Sequence, residues 1–319
     1  MSGVHPAISD LELLCGRDLQ ERNIGPLAAH VRGSLALAAA SIARHPRPSV
    51  AIITGFYLPD GVPPNCETDG PPGAAMIAAG LSAAGVPCRL VTDRVNARVV
   101  LATAAATGRD LPVDIAAMRD EPDGDGARLA DIERAWRAGV PPISHVIAIE
   151  RCGPSRDGRP RNARGEDITA VNAPLDRLFA GGPWTTIGIG DLGNELGMGS
   201  LPYELVAASV ARGSELWCRV TCDHPIVAGV SNLAAAALLG ALALQRPGWS
   251  GALLDWLTPE CAGRLLAAAV RDGGAVASQR GDVPRPLLAV DGLPWAALEA
   301  EFGEIERACR RGLARGSDA

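Results

Sequence analysis

The stretch SVAIITGF, residues 49–56, is a continuous apolar run rich in β-branched side chains. A run of this kind is typical of a strand that is covered on both faces. A loop rich in proline and glycine follows at 57–73, then an alanine-rich helical pattern at 74–85, and a second strand-like run, PCRLVTD, at 87–93. This order of strand, loop, helix and strand predicts a βαβ unit and hence a parallel sheet.

The same alternation continues along the chain. Four further runs are predicted as strands, namely LPVDIAAM at 111–118, SHVIAIER at 144–151, WTTIGIGD at 184–191 and LWCRVTCD at 216–223. We predict an α/β fold of three layers, with a largely parallel sheet flanked by helices. A single domain is expected over 1–319, with its core at about 46–245 and helical segments at 9–45 and 247–319 packing on it.

Three helical patterns come before or after these strands in the sequence. Two precede the sheet, SDLELLCGRDLQERN at 9–23 and GPLAAHVRGSLALAAASIARH at 25–45. The third, VAGVSNLAAAALLGALAL at 227–244, is close to the length of a membrane span. It is dominated by alanine, contains Ser231 and Asn232, and lacks flanking aromatic or strongly basic residues. We therefore predict a buried helix there and no membrane partner.

The composition favours a small soluble enzyme. The formal net charge is -6 over 319 residues, and aromatic residues make up 3% of the chain. A nucleic-acid partner is not expected, because non-specific binding needs a basic surface and base stacking needs aromatic side chains. No secretory signal is predicted, and the scattered cysteines are expected to be reduced, so a cytoplasmic location is expected. The sequence leaves open whether the chain forms a homo-oligomer.

Polar and acidic residues follow the predicted strands. They are Thr54 with Gly55, Asp93, Glu150 with Arg151, Asp191, and Asp223. Ligands of open parallel sheets bind beyond the carboxyl ends of the strands. We therefore expect these side chains to converge on one crevice.

The loop TIGIGDLGNELGMG, residues 186–199, is rich in glycine. Three of its glycines satisfy the GxGxxG pattern of a dinucleotide site, Gly188, Gly190 and Gly193. The loop has no lysine to bind phosphate, and its two acids would repel one. Asp191, Asn194 and Glu195 instead supply the oxygen ligands that a divalent cation prefers. A cationic substrate is a second candidate ligand for these acids. A tight turn whose acids cap the next helix is the structural interpretation.

The segment ETDGPPGA, residues 67–74, combines acids and glycines with two prolines. Thr68 or Asp69 is a candidate N-cap of a helix that begins near Pro71 or Pro72. A helix N-terminus also binds carboxylates, so a role in binding a substrate stays open.

The segment 150–169 carries five arginines, Arg151, Arg156, Arg159, Arg161 and Arg164. A solvated basic loop is one interpretation. The other is a clamp for a carboxylate, which a guanidinium binds through two parallel hydrogen bonds. Residues 152–165 are in that case a candidate lid.

The segment CDHPIVAGVSN, residues 222–232, offers His224 as a base or ligand. A histidine before proline is more often a capping residue. The chain has no GxSxG nucleophile elbow and no evident Ser/His/Asp set.

Together these segments resemble the C-terminal domain of the D-glutamate cyclase family. The resemblance rests on ITGFYLP with ETDGPPGA, VTD, IER with the DG and NARGEDIT that follow it, TIGIGDLGNELGMG, and VTCDHPIVAGVSN. It runs in order from about residue 50 to 245, and the string GIGDLGNELGMG is its most specific part.

The resemblance implies a lyase that converts D-glutamate to 5-oxo-D-proline and water by forming a lactam within one amino-acid substrate. It implies catalytic roles for Asp191, Asn194 and Glu195. The residues that it implies for substrate binding are Glu67, Thr68, Asp69, Gly70, Gly73, Glu150, Arg151, Asn162, Arg164, Gly190, Ser231 and Asn232. A divalent cation, Mn²⁺ or Mg²⁺, would be held by Asp191 and Glu195, with Asp93 as a further candidate. No nucleotide or organic cofactor is expected.

Other functions stay open on the sequence alone. One is a related enzyme that forms or opens the lactam of another amino acid. Another is a nucleotide-binding module that uses the loop from Gly188 to Gly193. A third is a noncatalytic domain that regulates a partner.

Overall fold

The computed structural model describes residues 5–120, 126–277 and 282–317. Its strands are β1 Val50–Thr54, β2 Tyr57–Leu58, β3 Asn65–Cys66, β4 Cys88–Asp93, β5 Val113–Ala116, β6 His145–Ile149, β7 Thr185–Gly190, β8 His224–Val227, β9 Ala289–Val290 and β10 Leu293–Pro294. Its α-helices are α1 Pro6–Cys15, α2 Gly25–His30, α3 Ser34–Arg44, α4 Pro71–Ala83, α5 Ala97–Ala106, α6 Ala127–Ala138, α7 Asp176–Ala180, α8 Tyr203–Ser209, α9 Gly213–Leu216, α10 Ser231–Gln245, α11 Ser250–Leu254, α12 Pro259–Arg271 and α13 Trp295–Ser317.

Six of the strands form one sheet in the order β5-β4-β1-β6-β7-β8, and every neighbouring pair is parallel. The chain winds outward from β1 through β4 to β5, then returns to β6 beside β1 and winds outward in the other direction. Val50 on β1 lies opposite Cys88 on one side and His145 on the other. The strand order thus reverses between β1 and β6. In such sheets ligands bind beyond the carboxyl ends of the strands at this point.

Alternate residues of β1 face opposite helical layers. Val50 and Ile52 pack into a core with residues of α3, α4 and α10. Ala51 and Ile53 pack into a second core on the other side of the sheet, with Trp136 of α6. Both faces of the strand are therefore buried, which is why its sequence is apolar throughout. The predicted three-layer α/β fold is confirmed.

The helix α10 is the centre of one layer. Every residue from Ser231 to Leu244 is buried, and α10 packs against α1, α3, α4 and α13. The prediction of a buried helix in this apolar run is confirmed. Among the described residues, no helix combines the length and the apolar character needed to cross a bilayer. These contacts join both terminal helical segments to the sheet, as our proposal of a single domain requires.

The N-terminal helices are shorter than the sequence predicts. The first ends at Cys15, and residues 16–24 form an irregular segment, here called the N-terminal strap. The second pattern is interrupted at Gly33, which has a φ of 95° and separates α2 from α3. The backbone N–H of Gly33 donates to the side chain of Glu12, and this contact fixes the break.

The strand predicted at 216–223 is wrong, and the sixth strand of the sheet is β8. Residues 217–220 run instead beside the loop that follows β7. The backbone N–H of Cys218 donates to the carbonyl of Gly193, and that of Gly197 donates to the carbonyl of Val220. These hydrogen bonds give backbone groups of residues 217–220 their partners outside the sheet.

Asp223 and His224 consequently lie at the amino end of β8, away from the crevice. The carboxylate of Asp223 accepts hydrogen bonds from the backbone N–H and the hydroxyl of Thr186, at 2.7 and 2.8 Å. The expectation that Asp223 joins the other strand-end acids is therefore wrong, and His224 lies at the wrong end of the sheet to act there as a base.

Candidate functional site

Six carboxyl groups converge beyond the carboxyl ends of β1, β6 and β7. This set, here called the acidic cluster, consists of Glu67, Asp69, Glu150, Asp191, Glu195 and Asp291. Side-chain oxygens of Asp69, Asp191 and Asp291 lie within 4.8 Å of one another. Those of Glu150, Asp191 and Glu195 form a second group with the same spacing. Two unit charges about 5 Å apart repel by about 3 kcal/mol at an effective dielectric constant of about 20, so the cluster favours a cationic ligand.

Glu195 fills the glycine-rich loop that follows β7. Its carboxylate accepts hydrogen bonds from the backbone N–H groups of Asp191, Leu192 and Gly193, at 3.2, 2.9 and 2.8 Å. Gly190 leaves the necessary room, because a Cβ there would lie 2.5 Å from Glu195 Oε2. The loop therefore does bind an anion, but the protein itself supplies it.

This arrangement argues against a nucleotide site in the loop. A dinucleotide fingerprint presents free N–H groups at the start of a helix that directly follows the strand. In the described part of the chain, no helix follows β7 until α8 begins at Tyr203, and the N–H groups of 191–193 are already bonded. The absence of a following helix also argues against the interpretation in which these acids cap one.

Asp69 and Asn232 each cap a helix from across the crevice. The carboxylate of Asp69 accepts hydrogen bonds from the backbone N–H groups of Ser231 and Asn232 at the start of α10, at 2.7 and 2.8 Å. The side-chain oxygen of Asn232 accepts hydrogen bonds from the N–H groups of Gly70 and Gly73 at the start of α4, at 3.1 and 2.8 Å. The two helix N-termini, with their partial positive charge, are thereby fixed beside the acidic cluster.

Glu150 leaves β6 with a strained backbone. Its φ of 45° is rare for a residue with a side chain and recurs at functional sites. Its carboxyl group accepts a hydrogen bond of 2.6 Å from the hydroxyl of Ser231. Gly70 permits this close packing, because a Cβ there would lie 2.7 Å from Glu150 Cβ and 2.8 Å from Thr54 Oγ1. Glu150 and Thr54 therefore border the crevice at the reversal point of the sheet.

The hairpin of β9 and β10 contributes Asp291, which sequence reasoning misses. Asp291 and Gly292 form its turn with φ values of 50° and 79°, both positive as in a type I′ turn. Thr68 ties the hairpin to the segment 67–74, since its hydroxyl donates to the carbonyl of Ala289 at 2.8 Å. The sequence Asp-Gly between short apolar runs is the signal that predicts such a hairpin.

Arg22 of the N-terminal strap is the second residue that sequence reasoning misses. Its guanidinium forms ion pairs with Asp191 and with Asp291, the latter at 3.6 Å. The side chain of Arg22 is 28% exposed, whereas that of Asp191 is 4% exposed. Arg22 therefore lies between the buried carboxyl groups and solvent. No motif marks it, because its surroundings have the apolar spacing of a helix.

Burial raises the pKa values of the aspartates in the cluster. It raises the pKa of Asp191 to about 7, with Arg22 opposing the rise and Glu195 adding to it. The pKa of Asp291 also rises to about 7 through burial, which Arg22 opposes and Asp191 reinforces. The pKa of Asp69 rises to about 8 through burial and the nearby Asp291. These groups therefore change ionisation close to neutral pH.

Two glutamates, Glu67 and Glu150, also have raised pKa values. Burial, followed by repulsion from Asp291, raises the pKa of Glu67 well above its ordinary range. Burial, followed by repulsion from Asp191, does the same for Glu150. The carboxyl groups of Asp191 and Asp291 also interact with each other, so the pKa of each depends on the ionisation of the other.

The two groups of acidic oxygens could hold a metal ion. Among the described residues, Glu67 Oε1 and Thr54 Oγ1 are buried without a hydrogen-bond partner. Buried polar atoms of folded proteins are nearly always bonded to protein, water or a ligand. A donor set made of oxygen alone suits a hard cation.

Arg151 and Asp93 lie outside the acidic cluster and pair with each other at 2.6 Å, both fully buried. The guanidinium also donates to the carbonyls of Gly55 and Ala173, at 2.9 and 2.8 Å. Asp93 accepts further hydrogen bonds from the backbone of Ala173 and the side chain of Asn96. The geometry therefore supports neither the substrate-binding role predicted for Arg151 nor the metal-binding role predicted for Asp93.

The arginine-rich segment 152–165 is bonded mainly to its own surroundings. Asn162 Oδ1 accepts hydrogen bonds from the backbone N–H groups of Arg164 and Glu166. The side chain of Arg164 is 53% exposed and pairs with Asp60 at 2.7 Å. The other arginines of the segment have partners too: Arg156 lies over the ring of Tyr203, Arg159 pairs with Asp167, and Arg161 pairs with Asp157. In the described structure these bonds leave Asn162 and Arg164 outside the acidic cluster.

Asn194 bonds to this segment as well. The side-chain N–H of Asn194 donates to the backbone carbonyl of Arg161 at 2.8 Å, and the backbone carbonyl of Asn194 accepts from the N–H of Gly153 at 2.9 Å. Asn194 therefore joins the glycine-rich loop to the arginine-rich segment, whereas Asp191 and Glu195 belong to the acidic cluster.

Comparison with known families covers nearly the whole chain. The sequence model of one family, described as D-glutamate cyclase-like, C-terminal, matches residues 11–304. The chain belongs to this family. The matched range includes the N-terminal strap and the hairpin that carries Asp291, so every member of the acidic cluster lies within the D-glutamate cyclase-like region.

A named member of this D-glutamate cyclase-like group gives a more specific comparison. Human mitochondrial D-glutamate cyclase is 34% identical to the chain over 241 residues. These residues are 74% of this chain and 38% of the human protein, so the chain spans less than half the length of that relative.

Proposed function

We propose that the chain is a lyase that closes D-glutamate to 5-oxo-D-proline with loss of water. Membership of the D-glutamate cyclase-like family and the name of the human relative support this proposal. The observation that carries it is the buried acidic cluster, with Arg22 paired to it, at the carboxyl ends of the strands. An amino acid is a zwitterion, and this site offers groups of both signs to bind it.

The proposed reaction moves two protons within the substrate. The ammonium loses one proton, and its nitrogen then attacks the carbon of the side-chain carboxylate. A C–N bond forms and a C–O bond breaks, and the departing oxygen leaves as water with that proton and a second one from nitrogen. The reaction needs no oxidant and no net proton, but it needs groups that accept protons and return them.

Asp191 and Asp291 suit this proton transfer. Because burial raises the pKa of each to about 7, both ionisation states are populated at neutral pH. We assign to Asp191 the proton transfer from the substrate nitrogen, since it belongs to both groups of acidic oxygens. Glu195 then acts by holding the loop on which Asp191 lies.

The substrate ammonium is proposed to bind among the carboxyl groups of Glu67, Glu150 and Asp191. Glu67 Oε1 is buried without a partner in the described structure and is therefore available to a ligand. Ser231 orients Glu150 through their hydrogen bond. The remaining predicted residues of the crevice shape it, because Thr68, Asp69, Gly70, Gly73, Gly190 and Asn232 fix the loops and helix ends around it.

A divalent cation, Mn²⁺ or Mg²⁺, fits the oxygen donors beside Asp191. Asp69 and Asp291 would hold it, since their oxygens lie within 4.8 Å of each other, and Asp191 would remain available for proton transfer. When bound, such an ion polarises a carboxylate oxygen and makes the attached carbon easier to attack.

The direct test is to incubate the purified chain with D- or L-glutamate and to detect 5-oxoproline on a chiral column. One set of reactions contains a chelator and another contains added Mn²⁺. We expect D-glutamate, but not L-glutamate, to give 5-oxoproline, in the D-form. We expect the chelator to abolish this activity and Mn²⁺ to restore it. Activity that is unchanged by the chelator would show that the reaction needs no divalent cation, so that the substrate ammonium is the cation that the acidic cluster binds. A panel of other amino acids is included, since turnover of one of these in place of D-glutamate would refute the proposed substrate.

A further inference from the structure

The N-terminal strap, residues 16–24, is fastened to the body of the protein at its start. The backbone N–H of Gly229 donates to the carbonyl of Cys15 at 2.8 Å. Arg17 pairs with Glu301 and Glu304 of α13, at 2.9 and 2.8 Å. The start of the strap is therefore bonded both to the segment that follows β8 and to α13.

The far end of the strap is fixed by Asp18. Its carboxylate accepts hydrogen bonds from the backbone N–H groups of Arg22, Asn23 and Ile24, at 2.8, 2.7 and 3.3 Å. The side chain of Asn23 donates to the carbonyl of Ser209 at 2.8 Å. The backbone at Arg22 is thus held in place, while its long side chain extends to the acidic cluster.

The supply of positive charge at the site is limited. The chain contains no lysine, so a fixed cationic side chain must be an arginine. The charge of Arg151 is neutralised by Asp93, and that of Arg164 by Asp60. Arg22 is the guanidinium that the described structure pairs with the acidic cluster.

We propose that Arg22 binds the α-carboxylate of the amino-acid substrate by exchanging ion-pair partners. This inference rests on the proposed function, because it concerns the substrate of the same site. The ammonium of the substrate takes the place of Arg22 beside Asp191, and the released guanidinium pairs with the substrate α-carboxylate.

The exchange leaves neither Asp191 nor Arg22 without a partner. Before binding, Arg22 is paired with Asp191 and Asp291. After binding, Asp191 pairs with the ammonium and Arg22 pairs with the α-carboxylate, so both residues keep an opposite charge beside them. An unpaired buried charge costs several kcal/mol, and the exchange avoids that cost. Arg22 is the partner placed to move, because it lies on the solvent side of the cluster.

The test combines one variant with one altered substrate. R22Q removes the guanidinium charge, and the α-carboxamide of D-glutamate removes the α-carboxylate charge while keeping the side-chain carboxylate. R17Q is the matched control, because Arg17 is an arginine of the same strap whose ion pairs are with α13 rather than with the cluster. Thermal unfolding of all three proteins shows whether the strap stays folded.

With D-glutamate, kcat/KM of R22Q is expected to fall about 100-fold, the effect of losing a charged hydrogen-bond pair. The wild-type protein is expected to disfavour the α-carboxamide by a similar factor. R22Q and wild type should then differ by less than about threefold on the α-carboxamide, since the interaction is already absent. R17Q should retain wild-type kcat/KM on D-glutamate.

Two results would overturn the inference alone. One is an R22Q variant as active as wild type on D-glutamate, and the other is an equal loss on both substrates, which would place the guanidinium elsewhere. If wild type binds D-glutamate without converting it, the proposed function fails. The inference is then tested by binding: it requires R22Q to have a larger dissociation constant for D-glutamate than wild type. If wild type neither binds nor converts D-glutamate, both fail together.

Discussion

Two arginine–aspartate pairs lie at the carboxyl ends of the same sheet, and they have different surroundings. In the pair of Arg151 and Asp93, both side chains are fully buried, and the guanidinium is also bonded to two backbone carbonyls. In the pair of Arg22 and Asp191, the arginine is partly exposed, and its aspartate has further carboxyl groups beside it. The first pair balances its charges, whereas the second lies in an excess of negative charge.

The difference separates a structural pair from a pair that we propose to be functional. A balanced, fully bonded pair has no capacity left for a ligand, and its removal affects the fold. An excess of buried acids destabilises the ligand-free protein, and a cationic ligand relieves it. Residue type and strand-end position alone do not distinguish the two, because both pairs share them.

The largest expected effect is on the balanced pair. Replacing Arg151 by leucine leaves Asp93 buried without its cation, which is expected to lower the free energy of unfolding by about 3–5 kcal/mol. Urea denaturation followed by circular dichroism measures this loss. The double variant D93N/R151L should recover part of it, because no charge is then stranded. An R151L variant as stable as wild type would remove the structural role of the pair.

D191N tests the unbalanced pair. It keeps the shape of the side chain but cannot accept a proton, so kcat/KM on D-glutamate is expected to fall by about 10²- to 10⁴-fold. Its stability should not fall, since one repelling carboxyl group is gone. D223N is the matched control, because Asp223 lies at the amino end of β8 and should leave kcat/KM unchanged. Equal activity of D191N and D223N would contradict the assignment of Asp191.

The variant E195Q tests a member of the acidic cluster that has both a structural and a positioning role. The glutamine amide would keep one acceptor oxygen, but its NH₂ group would face at least one of the backbone N–H groups that now donate to Glu195. The loss of a charged acceptor is expected to cost about 1–3 kcal/mol of stability, and activity should fall with it. Denaturation and kinetics on one protein sample measure both. A variant that loses activity at full stability would instead make Glu195 a direct participant in catalysis.

The smallest effect is a pH dependence of stability. Burial raises the pKa of Asp291 from its ordinary 3.8 to about 7, so between these values the folded state binds more protons than the unfolded state. Stability of the ligand-free protein should therefore fall as pH rises from about 4 to about 7. D291N should flatten this slope and raise the Tm at pH 8 by about 2–4 °C. If the Tm of D291N and that of wild type change in parallel with pH, the ionisation of Asp291 does not contribute to the pH dependence of stability.

The sheet is predictable from sequence chiefly because its central strands, β1 and β6, are buried throughout and are therefore continuously apolar. The runs at β1, β4, β5, β6 and β7 are correctly located, since they alternate with helical patterns as the strands of a parallel sheet do. The sixth strand is misplaced by a few residues. Apolar residues extend across both 216–223 and β8, and hydrogen bonds to the loop after β7 decide which part joins the sheet.

The acids of the site are predictable as far as they follow strands or lie in the motifs. Asp191, Glu195 and Glu150 are found in this way. Arg22 is not, because it lies in a segment with the apolar spacing of a helix. Asp291 is not, because its Asp-Gly sequence predicts a hairpin but not the position of that hairpin beside the cluster, which tertiary packing decides.

The arginine-rich segment fails as a carboxylate clamp for a simpler reason. Its own acids lie a few residues from the arginines in sequence, as with Arg161 and Asp157 or Arg159 and Asp167. Local pairs of this kind compete with any distant ligand. The opposite charges within the segment are the signal that favours internal pairing.

The site is completed by residues from both ends of the described chain. The side chain of Gln20 donates to Asp291 at 3.4 Å, across 271 positions of sequence. The two segments are far apart in the chain, so the acidic cluster is assembled only when both have packed beside the sheet. A break in either segment would therefore disturb the cluster even though the strands that carry its other acids are intact.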